Sequence, residues 1–431
     1  MKHLDFLSPG QKLKYIRSQL GIKQIELEEI GVSRNYISMI ESDKRNLNTN
    51  TLEKLVSFFE NKVLELGIDF NIDKAKLALS KTDEARNYCN DRLSLQLNSK
   101  DIVEVISIGE EYNLVDILSK AYFQKGNLLY ESNEFDKAIV YYYNTLETYS
   151  LLKDDLSKAH VYNELGKCKF KTLCYEDALA YFFKCYFGID ENNNNNSELY
   201  ENCIFNIALT YKKMGEFDNA LLYINKLIKI LYFQDNLNKY IDLMIVEANC
   251  YRGKKEFDIA IKLYNNIINL YEDQLGTSLG YIYNNLGLLY LEINKPNDSL
   301  IYFDKAINIR QNIDKPTLSH SLIDKSKVYI KLNFNSEAIL LLEEGIFVAK
   351  EYQDKEFLLT GYMLIEKIYE NTQEYDKLEN IYLRLISILE NSDHDKIVNI
   401  YIKLSILYLN KKSLFKCKEY LLKAENISAL N

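Results

Sequence analysis

The chain has 431 residues, 47% of them apolar and 27% charged, which makes it too long for one ordinary core and too apolar for a disordered chain. Its 15 Gly and 3 Pro supply too few turn signals for many short strands, so the composition favours helix. No apolar run approaches the roughly 20 residues needed to span a bilayer, and Asp5 and Pro9 interrupt the N-terminal apolar stretch; the expectation is a cytoplasmic protein with no membrane partner.

The net charge of −9 conceals an asymmetry. Residues 1–62 hold ten Lys/Arg against eight Asp/Glu, so the rest of the chain carries −11. A mildly basic end on an acidic body fits a polyanion-binding module attached to something that avoids polyanions. Cys89, Cys168, Cys174, Cys185, Cys203, Cys250 and Cys417 are scattered and contain no C-x-x-C pair, as expected of reduced, buried thiols. His3, His160, His320 and His394 are isolated, and no metal-ligand spacing, nucleophile elbow or phosphate-binding glycine loop occurs. The sequence therefore predicts no metal, no cofactor and no catalysis.

In chain order, residues 1–64 set their apolar positions in short segments: Leu13, Ile16 and Leu20; Ile25, Leu27 and Ile30; Ile37 and Ile40; then Leu52, Leu55, Val56 and Phe59. Between the second and third lies "IGVS", where Gly31 takes positive φ after one helix and Ser33 caps the next. The segment "LKYIRSQLGIKQIELEEIGVSRNYISMIESDKRNLNTNTLEKLVSFF" resembles the helix-turn-helix domain of phage repressors and related bacterial regulators.

That resemblance implies roles. Ser33, Arg34, Asn35 and Ser38, with Tyr36 on the same helix, belong to the part that enters the major groove of double-stranded DNA. Gln24 approaches a phosphate from the preceding helix, and Lys44, Arg45 and Asn46 contact the backbone from the following loop. Arg17 and Glu41 stand where the family often ties helix one to helix three. Three positions depart from the pattern: Lys23 replaces a common Thr or Ser cap, Asp43 replaces a frequent Gly, and Glu28 replaces a small residue, implying shifted packing or an exposed second helix. A solvated helical cap, or a helix-turn-helix that uses this surface for protein contacts, are the alternatives.

Residues 65–118 are helical in pattern and read as a connecting helix followed by an atypical capping hairpin. From 119 to 431 a repeat takes over. A small residue recurs at Gly126, Gly166, Ala208, Ala248, Gly287, Ser326 and Ser405, with the degenerate Glu366 completing the series at intervals of 39 to 42 residues. Twelve positions after each stands a second, at Ala138, Ala178, Ala220, Ala260, Ser299, Ala338, Leu378 and Cys417, and an aromatic or aliphatic residue follows four further on. Small residues are needed where two antiparallel helices approach closely. The pattern resembles the tetratricopeptide repeat in about eight copies, with a period above the usual 34 residues that calls for longer helices or connections. The Asn192–Asn196 run reads as an exposed loop.

An N-terminal helix-turn-helix joined to such an array resembles the RRNPP family of peptide-responsive regulators, typified by PlcR, PrgX, Rgg and NprR. The resemblance implies an all-α chain with a right-handed α-solenoid of tetratricopeptide-like hairpins. It further implies a homodimeric transcription factor of quorum sensing, whose repeats bind a short signalling peptide on the concave face. The repeat frame places Asn127, Asn163, Lys167, Asn206, Asn249, Asn284, Asn285 and Lys327 on or near that face, and Asn offers the donor and acceptor that a peptide backbone requires. The competing reading is a scaffold whose repeats bind a signalling or sporulation-pathway protein.

Overall fold

The computed structural model describes residues 6–95, 98–189, 197–231, 237–389 and 394–428, and every regular element among them is a helix. Asn192–Asn196, expected as a loop, lies outside these residues. The chain divides into two compact units, residues 1–210 and 211–431.

In the first unit, Ser8 caps α1 (Pro9–Gln19): its hydroxyl accepts the Gln11 N–H at 3.1 Å while the Gln11 side chain accepts the Ser8 N–H, and Pro9 occupies the first helical position. A 3-10 helix follows at Gln24–Ile30, ending at Gly31 with φ of 74°. Ser33 caps α2 (Arg34–Glu41), and Asn48 caps α3 (Thr49–Leu66). Leu13, Leu27, Ile37, Ile40, Leu55 and Phe59 close a small core between these elements. One sequence expectation fails here. Ile25 is 56% exposed, because with three residues per turn only Gln24, Leu27 and Ile30 share the inward face.

Short α4 (Lys74–Ala78) leads to the hairpin of α5 (Lys81–Leu93) and α6 (Ser99–Glu111). Next come α7 (Val115–Glu131) with α8 (Phe135–Leu152) and α9 (Asp155–Lys171) with α10 (Tyr175–Phe187); α11 (Ser197–Met214) begins in this unit. The second unit continues with α12 (Phe217–Leu231), then the hairpins α13 (Leu237–Gly253) with α14 (Phe257–Tyr271) and α15 (Thr277–Glu292) with α16 (Pro296–Ile313). It ends with α17 (Leu318–Lys331) and α18 (Asn335–Glu351), α19 (Lys355–Thr372) and α20 (Tyr375–Leu389), and α21 (His394–Asn410) and α22 (Leu414–Ser428). The 17-residue α7 and 18-residue α8 explain the long period: the helices, rather than the turns, are extended.

The small residues do what the spacing requires. A Cβ at Gly126 would lie 2.6 Å from the Tyr142 ring, one at Gly166 2.5 Å from Phe182, and one at Gly287 2.9 Å from Phe303. In each case the ring stands sixteen residues on, at the second helix of the same hairpin, and is completely buried or nearly so. Seven residues after each small position the chain turns through the left-handed region, at Asn133, Leu173, Gly215, Lys255, Asn294, Asn333, Gln373 and Lys412. Only one of these is glycine, which is why turn composition gave so little warning of them.

All seven cysteines are free. Five are buried, and Cys174 is exposed, contrary to the expectation of burial throughout, because it sits in the turn before α10. No helix among the described residues is long and apolar enough to cross a membrane.

Two substitutions test this packing. Leu173, at φ of 64° and 71% exposed, carries backbone strain that burial of its own side chain does not offset. Leu173→Asn, matching Asn133, Asn294 and Asn333, is expected to stabilise the hairpin by on the order of 1 kcal/mol, seen as a higher urea midpoint. Gly166→Val is expected to cost about 3 kcal/mol by driving Cβ into Phe182, read in the same unfolding experiment.

Candidate nucleic-acid interface and repeat face

The helix-turn-helix is fixed by one buried carboxylate. Glu41 at the end of α2 accepts from Arg17 Nε at 2.6 Å and Nη2 at 3.0 Å, and from Gln24 Nε2 at 2.8 Å, while Arg17 Nη1 reaches the Ile22 carbonyl at 2.7 Å. α1, the 3-10 helix and α2 are thereby joined at a single point, and the hydrogen bond to Glu41 raises the Arg17 pKa. Gln24, expected to approach a phosphate, is half-buried with its amide N–H turned to Glu41.

The departures from the family pattern are each accommodated. Lys23 donates its N–H to the Glu26 carboxylate at 2.7 Å, so the cap comes from three residues downstream. Asp43 adopts φ of 57°, the conformation a glycine would supply, and accepts the Ser8 hydroxyl. Glu28 is exposed and accepts the Arg34 N–H at 3.2 Å, a favourable place for a carboxylate at the start of α2.

Ser33, Arg34, Asn35 and Ser38 are exposed, with Ser33 accepting the Tyr36 N–H at 3.3 Å. Lys44, Arg45 and Asn46 are exposed in the following turn. Tyr36 is half-buried and acts as a plinth: Arg45 lies 5.0 Å over its ring, and its hydroxyl accepts from Asn48 Nδ2 at 3.1 Å. Beside it an open cleft of about 600 Å³ runs between the start of α2 and the start of α3, lined also by Asn50, Thr51 and Lys54. Asn48, Asn50 and Lys54 were missed as candidates, although the cap sequence Asn48-Thr49-Asn50-Thr51 places them at a helix start facing the same way.

This module is moored to the hairpin after it. The Lys12 ammonium, nearly buried, donates to the Lys76 and Leu79 carbonyls at 2.9 Å each and pairs with Glu84 at 3.2 Å. Glu84 also accepts the Leu7 N–H at 3.1 Å, and Phe6 packs edge-on against Tyr112 and tilted against Tyr88.

The eight repeat-face candidates fall into distinct situations. Asn127 and Asn249 accept the hydroxyls of the buried Tyr142 and Tyr264 at 2.8 and 2.9 Å; desolvation pushes both phenols well above their ordinary pKa. In the first unit, buried Asn163 accepts from Asn206 at 3.0 Å and donates to Glu164 at 3.2 Å, while Lys167 pairs with Glu164 at 2.6 Å and lies over Tyr130. In the second unit, buried Asn284 donates to Asp324 at 2.8 Å, and Lys327 pairs with the same carboxylate at 2.6 Å. The Asn284 oxygen accepts from Ser321 at 2.8 Å and from Arg310 at 3.3 Å; Asn285 beside it is half-buried. Arg310 is 1% exposed and its Nε has no hydrogen-bond partner among the described residues; desolvation lowers its pKa. Sequence reasoning missed Arg310 and Asp324, since neither stands at a position that the repeat frame marks.

A helix-turn-helix family model matches residues 13–66, and tetratricopeptide-repeat models match residues 202–230 and 243–312. The fold is thus a helix-turn-helix followed by tetratricopeptide-type helical hairpins. Among curated proteins it is similar to the type IV pilus assembly protein PilF of Pseudomonas aeruginosa, at 22% identity over 130 residues covering 27% of this chain; the chain spans about half the length of that relative. Among solved structures, the apo form of the quorum sensor NprR from B. thuringiensis is 18% identical, with 80% of this chain and 99% of that chain covered and a TM-score of 0.49. The Rap conjugation gene regulator of plasmid pLS20, in complex with the Phr* peptide, is also 18% identical, with 81% and 94% covered and a TM-score of 0.48.

The helix-turn-helix geometry makes a direct prediction. Glu41→Leu leaves the Arg17 guanidinium and the Gln24 amide without their acceptor, and is expected to destabilise the module by roughly 3 kcal/mol. Hydrogen exchange over residues 9–41 of the full chain should accelerate while exchange in α13–α18 stays unchanged.

Proposed function

We propose that this protein is a transcriptional regulator of the peptide-responsive RRNPP kind, with residues 1–64 as the DNA reader, 65–118 as the connection and 119–431 as the regulatory repeats. The observation that carries the reading is the contrast within α2. Glu41 and Ile37 are spent on internal contacts, whereas Arg34, Asn35 and Ser38 are exposed and make no side-chain hydrogen bond among the described residues. Arg suits guanine and Asn suits adenine in the major groove, and Lys44, Arg45 and Lys54 flank them with positive charge for phosphates. A second copy of the chain would present the same helix to a second half-site, about one DNA turn away or a multiple of that.

The repeats supply the regulatory surface. Asn127 and Asn249 have their oxygens held by Tyr142 and Tyr264, which fixes each amide plane and presents its N–H₂ group to a peptide backbone. A short signalling peptide bound there alters the arrangement of the paired DNA-binding modules and so the operator affinity. One feature favours a second reading: Glu28 places a carboxylate beside the Arg34 amide, on the side that would meet phosphates, which suits a protein partner better than DNA.

Selection of duplexes from a random pool by the full-length protein separates the two. Recovery of a two-fold symmetric sequence is expected, and recovery of none supports the protein-partner reading. On the selected duplex, Arg34→Ala with Asn35→Ala should abolish sequence preference with thermal unfolding unchanged; retained preference would overturn the assignment of α2. Lys44→Ala should weaken all duplexes alike and reduce the slope of log affinity against log salt by about 1.

A further inference from the structure

The core of the helix-turn-helix module reaches past α3. Ile72 and Leu77 pack into it with Leu13 and Leu55, so α4 belongs with the DNA reader and the joint to the next hairpin falls after α4. Leu79 and Ser80, both extended with ψ of 130° and 164°, connect α4 to α5 there. Two consecutive extended residues can serve as a hinge, yet this one is spanned from the N-terminal side. Lys12 of α1 donates to the Lys76 and Leu79 carbonyls, which closes the end of α4, and the same ammonium pairs with Glu84 in the first turn of α5. The Glu84 carboxylate also accepts the Leu7 N–H. Phe6, one residue earlier, is buried in the α5–α6 core against Tyr88 and Tyr112 rather than in the core of its own module. The segment before α1 is therefore a second attachment, and a body held at two separated points does not turn freely about one of them.

We propose that Phe6 and Lys12 are positioning residues that set the spacing between the half-sites of the operator. They clasp the DNA reader to α5–α6, so that in a paired molecule the two recognition helices stand at one fixed separation and angle. This rests on the reading above of residues 1–64 as a DNA reader that acts in a two-fold pair. Inserting one base pair between half-sites moves the second by about 3.4 Å along the duplex and turns it by about 35°. A loosely tethered module follows such a change at little cost. A clasped one must break the Glu84 contacts, pull Phe6 out of its core or deform the duplex. The bases are then read by α2 and their spacing by the clasp, through two side chains that are buried and not among the groups α2 offers to DNA.

The test uses the full chain, with Phe6→Ser and Lys12→Met made separately because they open the clasp at different points. Hydrogen exchange is measured first, without DNA. Both variants are expected to exchange faster at residues 80–88 while α2 and α3 keep the protection of the parent. No change in either variant, or loss of protection throughout residues 9–66 in both, overturns the clasp. Binding is then measured on the duplex recovered by selection and on versions with one or two base pairs added or removed between half-sites. The parent is expected to lose about tenfold in affinity for each base pair changed, and each variant less than about threefold. Affinity for an isolated half-site is expected to be the same in all three proteins. An equally steep spacing dependence in the variants, or a parent indifferent to spacing, overturns the proposal. A weakened isolated half-site in both variants does so too, since the two residues would then act on the reader's own fold. Recovery of no duplex overturns the DNA reading and with it the spacing role, while the exchange measurement still decides on the clasp by itself.

Discussion

The contact between a bare stretch of first helix and the ring sixteen residues later sets the geometry of the hairpins at Gly126, Gly166 and Gly287. With glycine at 126 or 166, the helix backbone itself becomes the surface on which Tyr142 or Phe182 lies, and no other residue leaves room for it. The rest of the step follows. If the ring is to reach that point, the turn must come at a fixed distance, and it does so seven residues after the small position in all eight hairpins. The chain accepts Leu173 in a left-handed conformation rather than shift that distance, so the packing outweighs the backbone strain.

The N-terminal module is built on a different principle. Its core is too small for packing alone to specify the angle between its helices, and a buried carboxylate supplies the missing directionality. Three donors from two elements converge on Glu41, so α2 is held by its last residue and its first turn is left uncommitted. Burying such a charge is tolerable only because every oxygen is bonded to a donor that is itself cationic or polar. The Lys12 ammonium acts likewise toward α4 and α5, exchanging its hydration for two carbonyls and one carboxylate.

Legibility in the sequence followed the range of the interactions. The repeat was visible because its determinants recur with the chain, at Gly126, Gly166, Ala208 and onward. The helix-turn-helix was visible because caps and turns are local: Ser33 before α2, Gly31 at positive φ, Asp43 in the next turn. What escaped depends on geometry that no short window contains. Ile25 looked like a core residue on an α-helical count and is exposed on the 3-10 helix that formed instead. The asparagines of the repeats were legible as a polar face, but their partners were not. Asn284 meets Arg310 and Asp324 from 26 and 40 residues away, and neither partner has a counterpart in the neighbouring hairpins to betray it.

That network carries a further physical consequence. A guanidinium as buried as Arg310 is bonded to Asn284 and Ser321 and lies 4.9 Å over Tyr281, and among the described residues it makes no ion pair; Asp314 and Asp324 act on it through space, and Asn284 bridges it to Asp324. Its charge is therefore balanced in part through a neutral amide, and the orientation of that amide matters. Turning Asn284 would remove an acceptor from Arg310 and a donor from Asp324 at once, so the side chain is locked in one sense by the groups on either side of it. Among the described residues, Asn127 and Asn249 are held at one atom, and Asn284 at both. The asparagines of the repeat face thus differ in freedom although they look alike in sequence: those bonded only to a tyrosine keep an amide N–H₂ group to offer, and the one between Arg310 and Asp324 has spent both ends on the fold.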